Sequence, residues 1–275
     1  MRTFDPDIVP QSEIHRLLVG GVAPRPIALV SSLGKDGVSN LSPFSFFNAF
    51  GVNPPVICFS PAYSGKTGEP KHTMLNIDET RECTVSIVTY DMVHQISLAS
   101  APYERGVDEF VKSGLTKRAS LKVAPPGVAE SSFIMEARLL QHIDFGHKPG
   151  SANMMICEVV MVHVNDAVLN PEGGIDPRRI DQVGRLGGPN YTRAKEGLFM
   201  LPQPTQVLVG IDQLPEEIRS SPILTGKHLA QLASLPTIPT AHVSDSTTLH
   251  KRHTSAMELL EAGHVDLAWN VLTNL

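Results

Sequence analysis

The chain has 275 residues, enough to bury a full core as one or two domains. It is 41% hydrophobic and 19% charged, and 28 acidic against 23 basic residues give a net charge of −5, which disfavours nucleic acid and anionic membrane as partners. No run reaches the ~18 apolar residues of a membrane span, and Met1 to Pro6 has no apolar signal region, so a cytoplasmic location is expected.

In chain order, 1–24 reads as a leading arm, with a short helix over Gln11 to Val19 carrying Ile14, Leu17 and Leu18 on one face. Strands are predicted at about 26–33, 38–43 and 56–60. The first two are joined by Gly34-Lys35-Asp36-Gly37, whose residues suit a hairpin turn. A Gly-rich loop, 63–70, leads into a helix over about 71–79. Cys83 to Thr89 alternates as a strand. Asp91 is placed as the N-cap of the next helix, which carries Met92, Val93, Ile96 and Leu98. The stretch 101–131 is rich in proline and glycine and reads as a long, functional loop. Long strands follow at 133–145 and 153–164, around Gly146-His147-Lys148-Pro149-Gly150. Many strands and few helices predict a mainly β fold, a barrel or sandwich.

From about residue 201 the composition shifts to short helices broken by prolines, so 1–200 and 201–275 are expected as separate regions. Ser255-x-x-Glu258 has the spacing of a capping box. Gly263 fits a helix end, and His264 to Leu275 reads as a last amphipathic helix with an exposed Trp269. The apolar faces of this tail are expected to pack on the barrel or on a partner subunit. Cys58, Cys83 and Cys157 lie in apolar runs and are expected as buried, reduced thiols.

Two stretches carry chemistry. The strand 38–43 breaks apolar alternation with Ser39, Asn40 and Ser42, followed by Ser45 and Asn48. Such residues pair with something when buried, although Asn40 could equally face water on a hairpin. Lys71-His72-Thr73 lies where a helix begins. Free N–H groups and the positive dipole end attract phosphate there, and a Lys and a hydroxyl add charge-assisted bonds; alternatively Thr73 is an ordinary cap. No Gly-x-Gly-x-x-Gly follows a strand and no Walker loop occurs. His250 and His253 are three apart, but no other residue at motif spacing joins them, so no metal site is expected.

Several stretches together resemble the flavin reductase-like, FMN-binding split-barrel family. They are Arg25 to Ser32, Asn40 to Asn48, Asn53-Pro54-Pro55, Phe59-Ser60-Pro61, Lys71 to Ile77, Ser100 to Tyr103, Gly106 to Phe110 and Gly184 to Gly188. The resemblance spans about residues 1–195. His72 departs from it, since the family usually has Asp between the Lys and the Thr. It implies a split β-barrel with peripheral helices; the helical C-terminal extension lies outside the resemblance and reads as an appended subdomain or a dimer arm. It also implies a homodimer with FMN near the subunit interface, and hydride transfer from NAD(P)H lying over the flavin. Reduced flavin would serve a partner flavin-dependent monooxygenase or another acceptor. The implied cofactor residues are Ser31, Ser32, Leu33, Asn40, Leu41, Ser42, Pro43, Ser45, Ser60, Lys71, His72 and Thr73. No side chain is implied as catalytic, and His147 either faces the nicotinamide or is a solvent-exposed loop residue. The rival readings are an FMN-binding electron carrier, reduced by another protein, and a scaffold protein that has lost the cofactor.

Overall fold

A computed structural model describes residues 1–239 and 249–273 of the chain, so the last two residues of the predicted final helix lie outside the described residues. The described chain divides into two compact units, Met1–Leu198 and Phe199–Leu275.

The first unit opens with α1 (Gln11–Gly21), which buries none of its residues. β1 (Ala28–Leu33) and β2 (Ser39–Phe44) form an antiparallel hairpin with Ala28 opposite Phe44 and Ser32 opposite Asn40. Its turn closes through Gly34 N–H to the Val38 carbonyl, Gly37 takes φ +77°, and Asp36 accepts from Val38 N–H at 3.0 Å. β3 (Phe47–Val52) and β4 (Pro55–Phe59) make a second hairpin with an irregularity between Ala49 and Gly51. Next come α2 (His72–Thr80), β5 (Glu82–Ile87), α3 (Val93–Ala99) and α4 (Glu109–Ser113). The short pair β6 (Lys117–Arg118) and β7 (Gly127–Val128) precedes the long strands β8 (Phe133–Asp144) and β9 (Asn153–Val164). α5 (Pro177–Ile180), β10 (Val183–Arg185) and β11 (Tyr191–Arg193) complete the unit.

Seven strands form one antiparallel sheet in the order β2-β1-β5-β8-β9-β4-β3. β2 and β3 lie at its opposite edges, yet only Ser45 and Phe46 join them. The two edges must therefore approach at that corner, and the sheet rolls into a barrel split along the seam. The inward residues agree, since Val30, Phe59, Val85, Ala137 and Met155 from five strands share one core, closed by Met74 and Ile77 of α2. A second cluster under α3 and α4 holds Leu29, Leu41, Ile96 and Phe110. Cys58, Cys83 and Cys157 are free and buried.

Besides β3, which the sequence did not show, Asp91 and the loop 101–131 differ from the sequence reading. Asp91 caps nothing: the chain is pinned at Thr89 and Tyr90 by backbone bonds to Gln182 and Asp181, so it winds a 3-10 turn over Tyr90–Met92 before α3 starts. The predicted loop 101–131 contains α4, begun by the Asp108 side chain on Phe110 N–H and ended by Gly114 at φ +65°.

The second unit holds α6 (Glu216–Arg219), α7 (Gly226–Leu232), α8 (Leu249–Glu261) and α9 (Val265–Thr273). Their apolar faces build a core of their own, with Leu214, Ile218, Leu232, Leu260 and Leu272 around Trp269. Trp269 is 1% exposed rather than exposed as predicted, and its Nε1–H donates to the Leu232 carbonyl at 3.1 Å. Each buried leucine of such a core contributes about 1.5–3 kcal/mol. Ser255 and Glu258 lie inside α8 (Leu249–Glu261); among the described residues of this unit, a capping box is at Thr225 and His228. Among the described residues, no helix is long and apolar enough to cross a membrane.

Candidate functional site

α2 packs its apolar residues Met74 and Ile77 into the barrel core, and this turns its other face onto the β1–β2 hairpin. His72, Thr73 and Asn76 share that face, being three and four residues apart. Thr73 is 1% exposed, and its Oγ1 accepts from Asn40 Nδ2 at 2.8 Å. One turn on, Asn76 Nδ2 donates to Ser32 Oγ at 3.2 Å. Asn40 does not face water: it is 7% exposed, held between strand and helix. Lys71 sits at the N-cap in extended conformation, and no side chain caps the helix. The first N–H groups of α2 are left open, at the positive end of its dipole.

In front of this helix start lies a cleft lined by Gly34, Asp36, Ser39, Asn40, His72 and Arg105, among others. Its volume is about 10 Å³, room for about one water. The cleft itself is too small for a phosphate, and the open N–H groups of α2 lie outside it. A Cβ at Gly34 would stand 2.5 Å from Asp36 Oδ1, so a side chain there would displace the Asp36 carboxylate. Burial, and then Arg105 and Lys71, push the His72 imidazole below its usual pKa, so it is neutral at neutral pH. The positive charge comes from Lys71 and Arg105. A phosphate ester fits this donor set. The Thr73 oxygen is occupied by Asn40 while its proton is free to donate, and Asp36 is the one carboxylate in the lining and turns to Val38 N–H.

The remaining predicted residues go elsewhere. Ser31 Oγ is buried without a hydrogen-bond partner, and Leu33 ends β1 half-buried. Leu41 is fully buried, and Glu109 Oε2 accepts its N–H at 2.9 Å. Burial raises the pKa of this Glu109 carboxyl, against the lowering effect of the Leu41 bond. Ser42 is half-buried. Pro43 and Ser45 line a separate hollow of about 250 Å³ with Ile27, Ile96, Arg185 and Tyr191. Ser60 Oγ accepts from Asn153 N–H at 3.3 Å beside β9. His147 is largely exposed, with its Nδ1 2.7 Å from the Tyr63 hydroxyl and 3.2 Å from Asp144 Oδ2. The site thus gathers Ser32, Asn40, His72 and Thr73 beside Lys71, and adds Asn76 and Arg105, which sequence reasoning missed. The spacing of Asn76 from His72 and Thr73 was a usable signal; Arg105, in a loop, offered none.

His253 is buried and His250 exposed; among the described residues, no three His, Cys, Asp or Glu side chains come together as a metal site would require.

Residues 20–182 match the model of the flavin reductase like domain. An uncharacterized protein of Halalkalibacterium halodurans is 36% identical over 204 residues, which is 74% of this chain and 96% of that one. Nitrilotriacetate monooxygenase component B from Bacillus cereus matches in structure with a TM-score of 0.66 at 30% identity, over 75% of this chain and 98% of that one. A Shewanella frigidimarina structure described as having a split barrel domain matches with a TM-score of 0.63 at 25% identity, over 74% of this chain and 100% of that one.

Proposed function

The chain belongs to the flavin reductase-like family, and from that premise we propose that it is an FMN-dependent oxidoreductase passing hydride from NAD(P)H to flavin. The observation that carries this reading is the convergence of Asn40, Thr73, Asn76 and Arg105 on the open start of α2. Lys71, Arg105, the Thr73 hydroxyl and the first N–H groups of α2 hold the 5′-phosphate. Ser32 and Asn76 fix the helix against the hairpin. The polar residues of β2 and the Ser45 that follows it would hold the flavin ring. Bound FMN supplies the hydride acceptor, so the protein contributes position and electrostatics and no side chain is required as acid or base. The likeness to a monooxygenase component supports a flavin-dependent monooxygenase as the user of reduced flavin. The exposed apolar residues of edge strand β3, Phe50 at 66% and Val52 at 91%, support a homodimer paired through this edge.

Purified protein should bind FMN stoichiometrically and bleach under anaerobic NADH or NADPH. Protein that cannot be reconstituted with FMN refutes the reading in favour of a cofactor-free scaffold. A flavoprotein that neither nucleotide bleaches is an electron carrier instead.

Because each unit has its own core, a chain ending at Leu198 should keep its FMN affinity. Loss of FMN from a truncated chain with unchanged circular dichroism would make the second unit part of the site.

A further inference from the structure

Arg25 and Arg185 exchange both of their backbone hydrogen bonds, at 2.9 and 2.8 Å, as an isolated antiparallel bridge. Directly opposed residues project to one face with Cβ atoms roughly 4.5–5.5 Å apart, and like charges there destabilise the pair. Arg25 is 6% exposed. It gives its fork to neutral acceptors: the Val19 and Val22 carbonyls at the end of α1 (2.5 and 2.7 Å), the Leu186 carbonyl and Ser45 Oγ. A role as cap of α1 accounts for Arg25 completely. It leaves unexplained a second guanidinium set opposite it.

Arg185 spends Nη2 on the Gly188 carbonyl at 2.7 Å and lies 4.5 Å from the centroid of the Tyr191 ring. Arg185 also lines two hollows of about 250 and 330 Å³, which share Arg185 and Ser45. No Asp or Glu lines either one, whereas His15 and Arg16 line the larger. Among the ion pairs of the described residues, none involves Arg25 or Arg185, so neither has a carboxylate partner there. This occurs in a chain with more acidic than basic residues. Pro43, which lines the smaller hollow, lies three residues along β2 from Asn40, about 10 Å at strand rise, and Ser45 follows just past the end of that strand. The hollows are therefore at the opposite end of that strand from the phosphate cleft.

We propose that Arg185, backed by the fixed charge of Arg25 and by Ser45, is an oxyanion subsite for the molecule that meets the flavin ring, binding its phosphate or carboxylate. The proposal rests on the flavin reductase reading. A nicotinamide dinucleotide offers such a group in its pyrophosphate, and an acidic electron acceptor offers one in its carboxylate. Both are planar-fork ligands of a guanidinium.

The test is Arg185→Gln in the full chain, with unchanged circular dichroism and melting as the check on folding. Inorganic pyrophosphate titrated into the FMN-saturated protein should bind the variant at least tenfold more weakly, and Arg185→Lys should recover only part of the loss. In steady state, the KM for NADH or NADPH should rise about tenfold at nearly constant kcat. The KM for N-benzyl-1,4-dihydronicotinamide, a donor without phosphate, should stay put. If the dinucleotides are unaffected and a carboxylated quinone loses about tenfold against a neutral one, the oxyanion is the acceptor's and the subsite stands. Equal loss for charged and neutral substrates, or no loss for either, overturns it. So does FMN itself competing with pyrophosphate for the Arg185 site. If the protein takes no FMN, the functional reading fails separately: pyrophosphate binding lost in Arg185→Gln and kept in Lys71→Ala still identifies the anion site.

Discussion

Lys71→Ala should weaken FMN binding by about ten- to a hundredfold, because a hydrogen bond to a charged group contributes roughly 1.5–3 kcal/mol and each 1.4 kcal/mol is about tenfold. Riboflavin has the same ring and no phosphate, so its affinity should hardly change. Lys71 stands exposed at the N-cap of α2. The neighbouring His72 imidazole, pushed down by burial and by its two cationic neighbours, brings no charge of its own at neutral pH. Arg105 is then the second cation, and Arg105→Ala should act in the same direction and with the same preference for FMN. Higher ionic strength should narrow the gap between wild type and either variant, since screening weakens an exposed pair. Equal losses for FMN and riboflavin in fluorescence titrations would mean that these residues support the fold and touch no phosphate.

What was legible in the sequence, and what was not, follows from the range of the signals. β9 covers the predicted 153–164 and β8 ends one residue short of its predicted limit, because twelve residues of sheet leave a long alternating pattern. The hairpin of β1 and β2 was readable from its turn residues. β3 was not, since its exposed mixture of Phe, Asn, Ala and Gly alternates poorly and its pairing slips between Ala49 and Gly51. α4 has only five residues, too few for a helical period, although Asp108 and Gly114 marked its two ends. The Ser255-x-x-Glu258 spacing misled because a four-residue pattern cannot tell a helix start from its middle. The true box uses His228, an acceptor that the usual Glu or Gln rule omits. In the site, the motif residues Asn40 and Thr73 met as neighbours. Arg105 is far from both in sequence, and only the fold brings it to the cleft.

The largest loss of stability is expected at Glu136, and it concerns the stretch that the sequence marked as a functional loop. Glu136 is fully buried on β8. Its carboxylate accepts from the N–H groups of Leu121, Lys122 and Val123 at 2.7, 2.5 and 3.2 Å and contacts His163 Nε2 at 2.7 Å. Three successive backbone donors of the loop thus end on one side chain. The Thr84 hydroxyl donating to the Pro126 carbonyl and Ala124 N–H donating to Glu82 tie the same loop to β5. The loop therefore divides: Arg105 to Val107 line the cleft, while 119–126 is a strap held down by carboxylates. Glu136→Ala leaves four donors without their acceptor and should cost roughly 3–5 kcal/mol. Glu136→Gln keeps one acceptor oxygen and should cost less. Burial alone would raise the Glu136 pKa, but His163 and the Leu121 and Lys122 N–H groups outweigh it and hold the group below the usual carboxylate range. A depressed native pKa gives stability that is present above the unfolded value of about 4.3 and is lost as pH falls through the native one. Unfolding in urea between neutral pH and pH values below that range should show wild type losing this increment on acidification, and Glu136→Gln losing less. At neutral pH and 25 °C, folded Glu136→Gln should bind FMN as wild type does. An alanine variant that costs under about 1 kcal/mol would mean that the strap holds without its carboxylate anchor.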